Sequence, residues 1–288
     1  MFPIVAKEQL SAEVYSMWIH APLIAEERRA GQFIILQIDE IFGERIPLTI
    51  ADADRETGNV RIIFQSVGAS TKRLAAKNVG DSLPVFLGPL GRPTEICKQE
   101  GTVICVGGGI GVAPMHPIAQ AMKAAGNRVV VIMGARTKEL LVMEEDMRKI
   151  ADELIICTDD GSYGRKGLVT EPLKELCERG GIAECVTIGP PIMMKFCALT
   201  TKPFGIHTIA SLNSIMIDGT GMCGGCRVMV GGKIKFVCVD GPEFDAHQVD
   251  FDNLMKRNRA FVPREREASC NLFKMADAKE AEARGDNR

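Results

Sequence analysis

No excess of positive charge marks this sequence: 35 lysines and arginines stand against 37 acids, a formal net charge of −2. The basic residues fall in short clusters mixed with acids, as on a solvated surface, so nucleic acid is not an expected partner. The N-terminal stretch "MFPIVAKEQLSAEVYSMWIHAP" lacks a basic segment leading into an apolar core, and no signal peptide is read there. No apolar run reaches the length needed to cross a bilayer, so no membrane attachment is expected. The expected location is the cytoplasm. Internal repeats are also missing.

What is present suits a soluble globular chain of 288 residues, 46% hydrophobic and 25% charged, long enough for two medium domains. Ten cysteines are unlike a disulfide scaffold in a reducing compartment. Seven of them (Cys97, Cys105, Cys157, Cys177, Cys185, Cys197 and Cys270) are scattered, several beside apolar residues where cysteine acts as a small hydrophobe. Only Cys223, Cys226 and Cys238 crowd together.

Residues 1–97 read as short strands, among them "GQFIILQI", "NVRIIFQSV" and "DSLPVFLGPLG", bounded by Gly, Asp, Asn or Pro. That spacing predicts a small antiparallel barrel. Residues 98–205 alternate apolar strands with helical segments, the pattern of a parallel, doubly wound α/β domain with strands buried on both faces. Residues 206–250 form a small Gly- and Cys-rich module, and 251–288 a charged helical tail whose end, "KMADAKEAEARGDNR", is expected to fray.

Three constellations carry candidate chemistry. Gly107, Gly108, Gly109 and Gly111 lie between a strand and a helix, where backbone N–H groups and the helix dipole can hold a phosphate. The fit to a dinucleotide fingerprint is incomplete, since the following strand ends in Gly134-Ala135-Arg136 without an acid for a ribose. A tight turn that only permits close packing is the alternative. Two further strand ends, "CTDDGS" at 157–162 and "IGPPIMM" at 188–194, are predicted at the same sheet edge, where ligands of such sheets bind.

The second constellation is "GERIPLTIAD", in which Arg45 beside a rigid Pro47 and the hydroxyl of Thr49 could bind a phosphate and a polar ring edge; alone, a surface ion pair at Arg45 and an edge-strand stop at Pro47 are the stronger reading. The third is Asp218-x4-Cys223-x2-Cys226-x11-Cys238. A structural zinc site usually offers two Cys-x-x-Cys pairs, or one pair and two histidines, and here the next histidine is His247. A redox pair would open a helix, against which the surrounding glycines argue. The spacing matches a plant-type [2Fe–2S] site at three positions, with aspartate at the first. Zinc and incidental thiols stand beside that reading.

Together these stretches resemble the ferredoxin–NADP reductase superfamily, in its branch with a C-terminal [2Fe–2S] module. "RIPLT", Arg45, Ile46, Pro47, Leu48 and Thr49, looks like the family's flavin motif. "IFQ", Ile63, Phe64 and Gln65, and "GAST" at 68–71 match the next FAD segments, where the resemblance implies that Gly68, Ser70 and Thr71 meet the diphosphate. "GGGIGVAP" matches the pyridine-nucleotide turn; Asp159, Asp160 and Gly161, and then Gly189, Pro190 and Met193, match later nucleotide-domain motifs. Where many members have Cys-Gly-Pro, this chain has Ile188-Gly189-Pro190, so no catalytic cysteine is implied there. No catalytic acid or base is named, since hydride transfer needs orientation more than proton donors.

Within that branch, "MIDGTGMCGGCRVMVGGKIKFVCVDGPEFDAH" is similar to the small subunits of NADH-dependent reduced ferredoxin:NADP oxidoreductases, also described as sulfide dehydrogenases. Their relatives, the dihydroorotate dehydrogenase electron-transfer subunits, use four cysteines. The resemblance implies Asp218, Cys223, Cys226 and Cys238 as cluster ligands. It also implies FAD in the barrel, NAD(H) on the α/β domain and hydride exchange between them. Single electrons would then pass through the cluster to a larger FAD and iron–sulfur flavoprotein subunit that bifurcates them, with ferredoxin reached indirectly. A stand-alone NAD(P)H reductase and a zinc-bearing nucleotide-binding regulator are the readings from other classes.

Overall fold

A computed structural model of the chain describes residues 1–39 and 43–271. The first sheet is antiparallel and contains β1 (Phe2–Gln9), β2 (Val14–His20), β3 (Phe33–Gln37), β4 (Arg45–Asp54), β5 (Asn59–Gln65), β6 (Ser82–Leu83) and β7 (Val85–Leu90). Their order is β6-β1-β2-β5-β4-β3-β7. The two edge strands, β6 and β7, are neighbours in sequence, so the chain itself draws the edges together and the sheet curls into a near-closed barrel. Ile19, Ile34, Leu36, Ile62, Phe64 and Leu74 fill its interior, each fully buried. Two short helices, α1 (Pro22–Glu27) and α2 (Ala69–Ala75), cover its ends.

The second sheet is built on β8 (Thr102–Gly108), β9 (Arg128–Ala135), β10 (Glu153–Thr158), β11 (Arg165–Lys166), β12 (Ile182–Ile188) and β13 (His207–Ser211), all parallel, with α3 (Val112–Ala124), α4 (Glu144–Ile150), α5 (Thr170–Arg179) and α6 (Pro191–Thr201) between them. β8 reads TVICVGG and is buried from its second residue onward, which explains its lack of alternation. The order β11-β10-β9-β8-β12-β13 reverses direction between β8 and β12. Such a reversal opens a crevice at the carboxyl ends of those two strands.

The last module adds a hairpin of β14 (Arg227–Val230) and β15 (Lys233–Phe236), the one-turn α7 (Val237–Asp240), β16 (Glu243–Asp245) and α8 (Phe251–Asn258). β16 pairs antiparallel with β13 and makes the second sheet mixed. The boundary expected at 205 therefore falls inside the sheet, because His207–Ser211 pairs along Ile182–Ile188. The charged tail expected from 251 opens with the helix α8, whose Phe251 and Leu254 are buried in one core with Val228, Val237 and Met194. Residues 262–271 are helical, and the remainder of the expected tail, 272–288, lies outside the described residues.

Candidate functional site

The barrel places "RIPLT" on β4 beside "IFQ" on β5, with Ile50 paired to Ile62 between the two motifs. Arg45 is exposed, Pro47 and Thr49 are half-buried, and Phe64 has its ring in the barrel core, so a ligand near β5 meets Ile63, Gln65 or backbone rather than Phe64. Gly68 caps α2 with open space where a side chain would stand. The hydroxyl of Thr71 accepts the N–H groups of Val67 and Gly68, both at 3.0 Å, and Ser70 donates to Glu44 at 2.7 Å. Both hydroxyls are thus committed within the protein, which leaves Arg45 and the backbone of the first turn to meet a diphosphate.

The glycine turn divides into two kinds of glycine. A Cβ on Gly107 would press on Met115 at 2.7 Å, and one on Gly111 would strike the Ile188 carbonyl and lie 2.8 Å from Gly189 Cα. Gly108 is covered by Met193 and Pro190, and Gly189 by Met193. Gly107 is glycine because α3 packs on it, and Gly108, Gly111 and Gly189 because the β8–α3 and β12–α6 turns interlock across the switch point. Gly109 differs: its φ is +55° and nothing lies within 4 Å of where a Cβ would project. The packing reading therefore accounts for Gly107, Gly108, Gly111 and Gly189, while Gly109 has no neighbour that requires glycine for packing.

At the end of β10, Asp160 accepts from the Ser162 backbone N–H at 2.9 Å and its hydroxyl at 2.7 Å. Those hydrogen bonds, side chain first, hold its carboxyl below the usual range. Asp159 points to solvent, and Gly161 has a φ of +80° against Lys166. Both strand ends expected at the nucleotide edge are there, with β12 directly on the crevice and β10 two strands away.

The cysteine loop lies against the barrel. Gly219, at φ +76°, approaches so closely that a Cβ would sit 2.7 Å from Leu90 and 2.8 Å from Ile35. Ile35 is paired across the sheet with Pro47 of the flavin motif, one strand spacing of about 4.8 Å away. A second apolar contact closes the other side: Ile63 of β5 shares a core with Ala113 and Ile110 of the nucleotide turn. Nucleotide turn, flavin motif and cysteine loop are therefore adjacent through single side-chain layers. Sequence reasoning missed Ile35, Leu90 and Ile110, because an apolar residue that bridges two sites carries no motif.

Within the loop, Asp218 accepts three backbone N–H groups, from Thr220 at 3.0 Å, Met222 at 3.1 Å and Cys223 at 2.8 Å. The Thr220 bond leads in holding its carboxyl below the usual range. Cys226 and Cys238 are buried with their sulfurs 3.2 Å apart, and burial together with that contact pushes the Cys238 thiol up to about 12. Cys223 is exposed. The structure thus forms two pairs, Asp218 with the Cys223 backbone and Cys226 with Cys238. Among the described residues no three such side chains are gathered around one point. The donor set still fits an iron–sulfur group: Asp218, Cys223 and Cys226 on one glycine loop and Cys238 on α7, with the N–H of Gly225 aimed at Cys223 sulfur at 3.4 Å and that of Cys238 at Cys226 sulfur at 3.5 Å.

Barrel, switch-point crevice and cysteine loop define a flavin-dependent pyridine-nucleotide oxidoreductase fold carrying an iron–sulfur module. Residues 105–198 match the oxidoreductase NAD-binding domain and residues 213–250 the iron–sulfur cluster binding domain of dihydroorotate dehydrogenase B, which spans all four candidate ligands. The chain is 46% identical to the dihydroorotate dehydrogenase B (NAD(+)) electron transfer subunit homolog of Thermotoga maritima, over 96% of this chain and 97% of that one. It is 33% identical to the electron transfer subunit from Geobacillus thermodenitrificans, over 85% and 96%. A chain in the structure of the NADH-dependent reduced ferredoxin-NADP oxidoreductase, a flavin-based electron-bifurcating system, superposes with a TM-score of 0.89 at 45% identity, covering 95% and 98%. The chain belongs to the family of dihydroorotate dehydrogenase B electron-transfer subunits and their homologues. Its cofactors are FAD, a [2Fe–2S] cluster and NAD(H).

Proposed function

We propose that this chain is the small, electron-transferring subunit of an electron-bifurcating NADH-dependent ferredoxin:NADP oxidoreductase. The observation that carries this reading is the full-length match to a chain of that enzyme, with aspartate rather than cysteine at position 218. The homologues named as subunits support a heterodimer with a larger flavoprotein, through which ferredoxin is reached. Among the described residues no helix is long and apolar enough to cross a membrane.

When bound, FAD supplies the exchange between a two-electron hydride and single electrons, and the cluster carries those electrons singly. The protein's part is placement. Gly109 leaves room for the nucleotide phosphates at the end of β8, while Met193 and Pro190 close the crevice floor over Gly108. Asp159, Asp160, Gly161 and Gly189 border the same edge. Arg45 and the α2 backbone hold the flavin diphosphate, and Pro47, Leu48, Thr49, Ile63 and Gln65 border its ring. Asp218, Cys223, Cys226 and Cys238 hold the cluster; to bind iron, Asp218 gives up part of its N–H shell, and the thiols release protons.

Anaerobic purification from the native source, through a tag on this chain, tests the proposal. The expected product is a yellow-brown complex with a larger flavoprotein, reduced by NADH. A dihydroorotate-oxidising partner would overturn the choice of enzyme, and a colourless zinc protein would overturn the electron-transfer role.

A further inference from the structure

Behind the nucleotide turn, between barrel and α/β domain, lies a second cleft of about 760 Å³. Arg28 and Arg29, which follow α1, and Arg55, on the β4–β5 hairpin, line it from the barrel side. Thr94 of the connecting segment and Gln120 and Ala124 of α3 line it opposite. No acidic residue is among its lining residues.

Arg28 is tied to Asp52 at 3.0 Å, and it lies close enough to Arg55 to be disfavoured by that second positive charge, after burial itself. Arg29 and Arg55 form no side-chain hydrogen bond or ion pair among the described residues, and Asp54 is occupied by the hairpin turn through Thr57 and the Glu56 N–H. The C-terminal end of α3 opposes an anion with about half a unit charge, against the two guanidinium groups of Arg29 and Arg55 that remain after Asp52 offsets Arg28. Like charges gathered in a concave site call for a counter-ion, and planar guanidinium forks match phosphate oxygens. The volume suits a nucleotide-sized molecule.

We propose that this interdomain cleft binds an anion carrying two or more phosphate groups, held by Arg29 and Arg55 beside the Asp52-paired Arg28 and backed by Gln120. The site is separate from both cofactor regions. Arg55 lies six residues beyond Thr49, roughly 20 Å along an extended strand, and Gln120 lies nine residues beyond Gly111, roughly 14 Å along α3.

The test is calorimetric titration of the FAD- and cluster-loaded protein, saturated with NAD+ to occupy the dinucleotide crevice. Tripolyphosphate and ATP are titrated separately at fixed ionic strength. One saturable site per chain is expected, weakened about tenfold by Arg29→Gln and again by Arg55→Gln. Arg128→Gln, at the exposed first residue of β9 where the arginine pairs with Glu153, leaves it unchanged. Tighter binding of ATP than of tripolyphosphate identifies a nucleotide as the ligand; equal binding identifies the phosphate groups alone. Absence of a saturable site for both probes overturns the proposal, as does equal weakening by Arg128→Gln, which would mean general charge attraction. Capture of an acidic protein at Arg29 and Arg55 without binding of either probe also overturns it.

Discussion

Two glycines of one turn are expected to fail in opposite ways when each is changed to alanine. Gly111 has ordinary helical dihedrals, φ −62° and ψ −13°, so alanine there carries no backbone strain. Its methyl group instead meets backbone, the Ile188 carbonyl and Gly189 Cα, neither of which can rotate away. Overpacking of this kind costs about 1–3 kcal/mol, and rigid neighbours place it near the upper end. At about 2–4 °C per kcal/mol, the α/β domain should melt roughly 6–10 °C lower. Gly109 sits at φ +55° with empty space beyond it. Alanine there incurs about 1–2 kcal/mol of left-handed strain, offset by about 0.4–1 kcal/mol of lost unfolded-state freedom, so melting falls by at most about 6 °C. Its methyl group, however, projects into the crevice and should weaken NADH binding by about tenfold, equivalent to about 1.4 kcal/mol. Thermal unfolding and a fluorescence titration of NADH on both variants supply the readings. If Gly109→Ala binds NADH as the parent does, the crevice is not the nucleotide site; if Gly111→Ala melts no lower than Gly109→Ala, the interlocked turns do not set stability.

Asp218→Cys should lower the cluster's reduction potential, since a thiolate donates more electron density to iron than a carboxylate and leaves the cluster more negative; an electron paramagnetic resonance titration showing an unchanged or higher value would refute the ligand role. Glu243, half-buried beside Thr94, whose hydroxyl donates to it at 2.6 Å, has its carboxyl pushed by desolvation from 4.5 to about 7. The folded state then holds a proton that the unfolded chain has lost, so this contribution to stability is complete below about pH 4.5 and disappears as pH rises toward 7. Urea unfolding at pH 5 and pH 7.5 should show a smaller difference in Glu243→Gln than in the parent. Arg45→Gln should weaken FAD retention by about tenfold, the loss of one charge-assisted hydrogen bond, measured as flavin released on dialysis; full retention would remove Arg45 from the flavin site.

What the sequence determined by itself was local. Strand-like and helical stretches, the breaks at glycine and proline, the cysteine spacing and the "RIPLT" run lie within short windows, where backbone preference and side-chain period dominate. They were enough for barrel, nucleotide domain and iron–sulfur module in order. Only the tertiary structure separated Gly109 from Gly107, Gly108 and Gly111, because the difference lies in what packs opposite each: α3 on Gly107, the β12–α6 turn on Gly108 and Gly111, and open space at Gly109. It also added His207–Ser211 to the sheet and drew α8 into the module core, two outcomes decided by distant partners rather than by composition. The same holds for function: Gly219 against Ile35 and Leu90, and Ile63 against Ile110 and Ala113, join three cofactor regions through apolar side chains. Apolar contacts are non-directional and leave no spacing to read. The arginine cleft likewise draws on a loop, a hairpin and a helix, separated in the chain and brought together only by packing two domains.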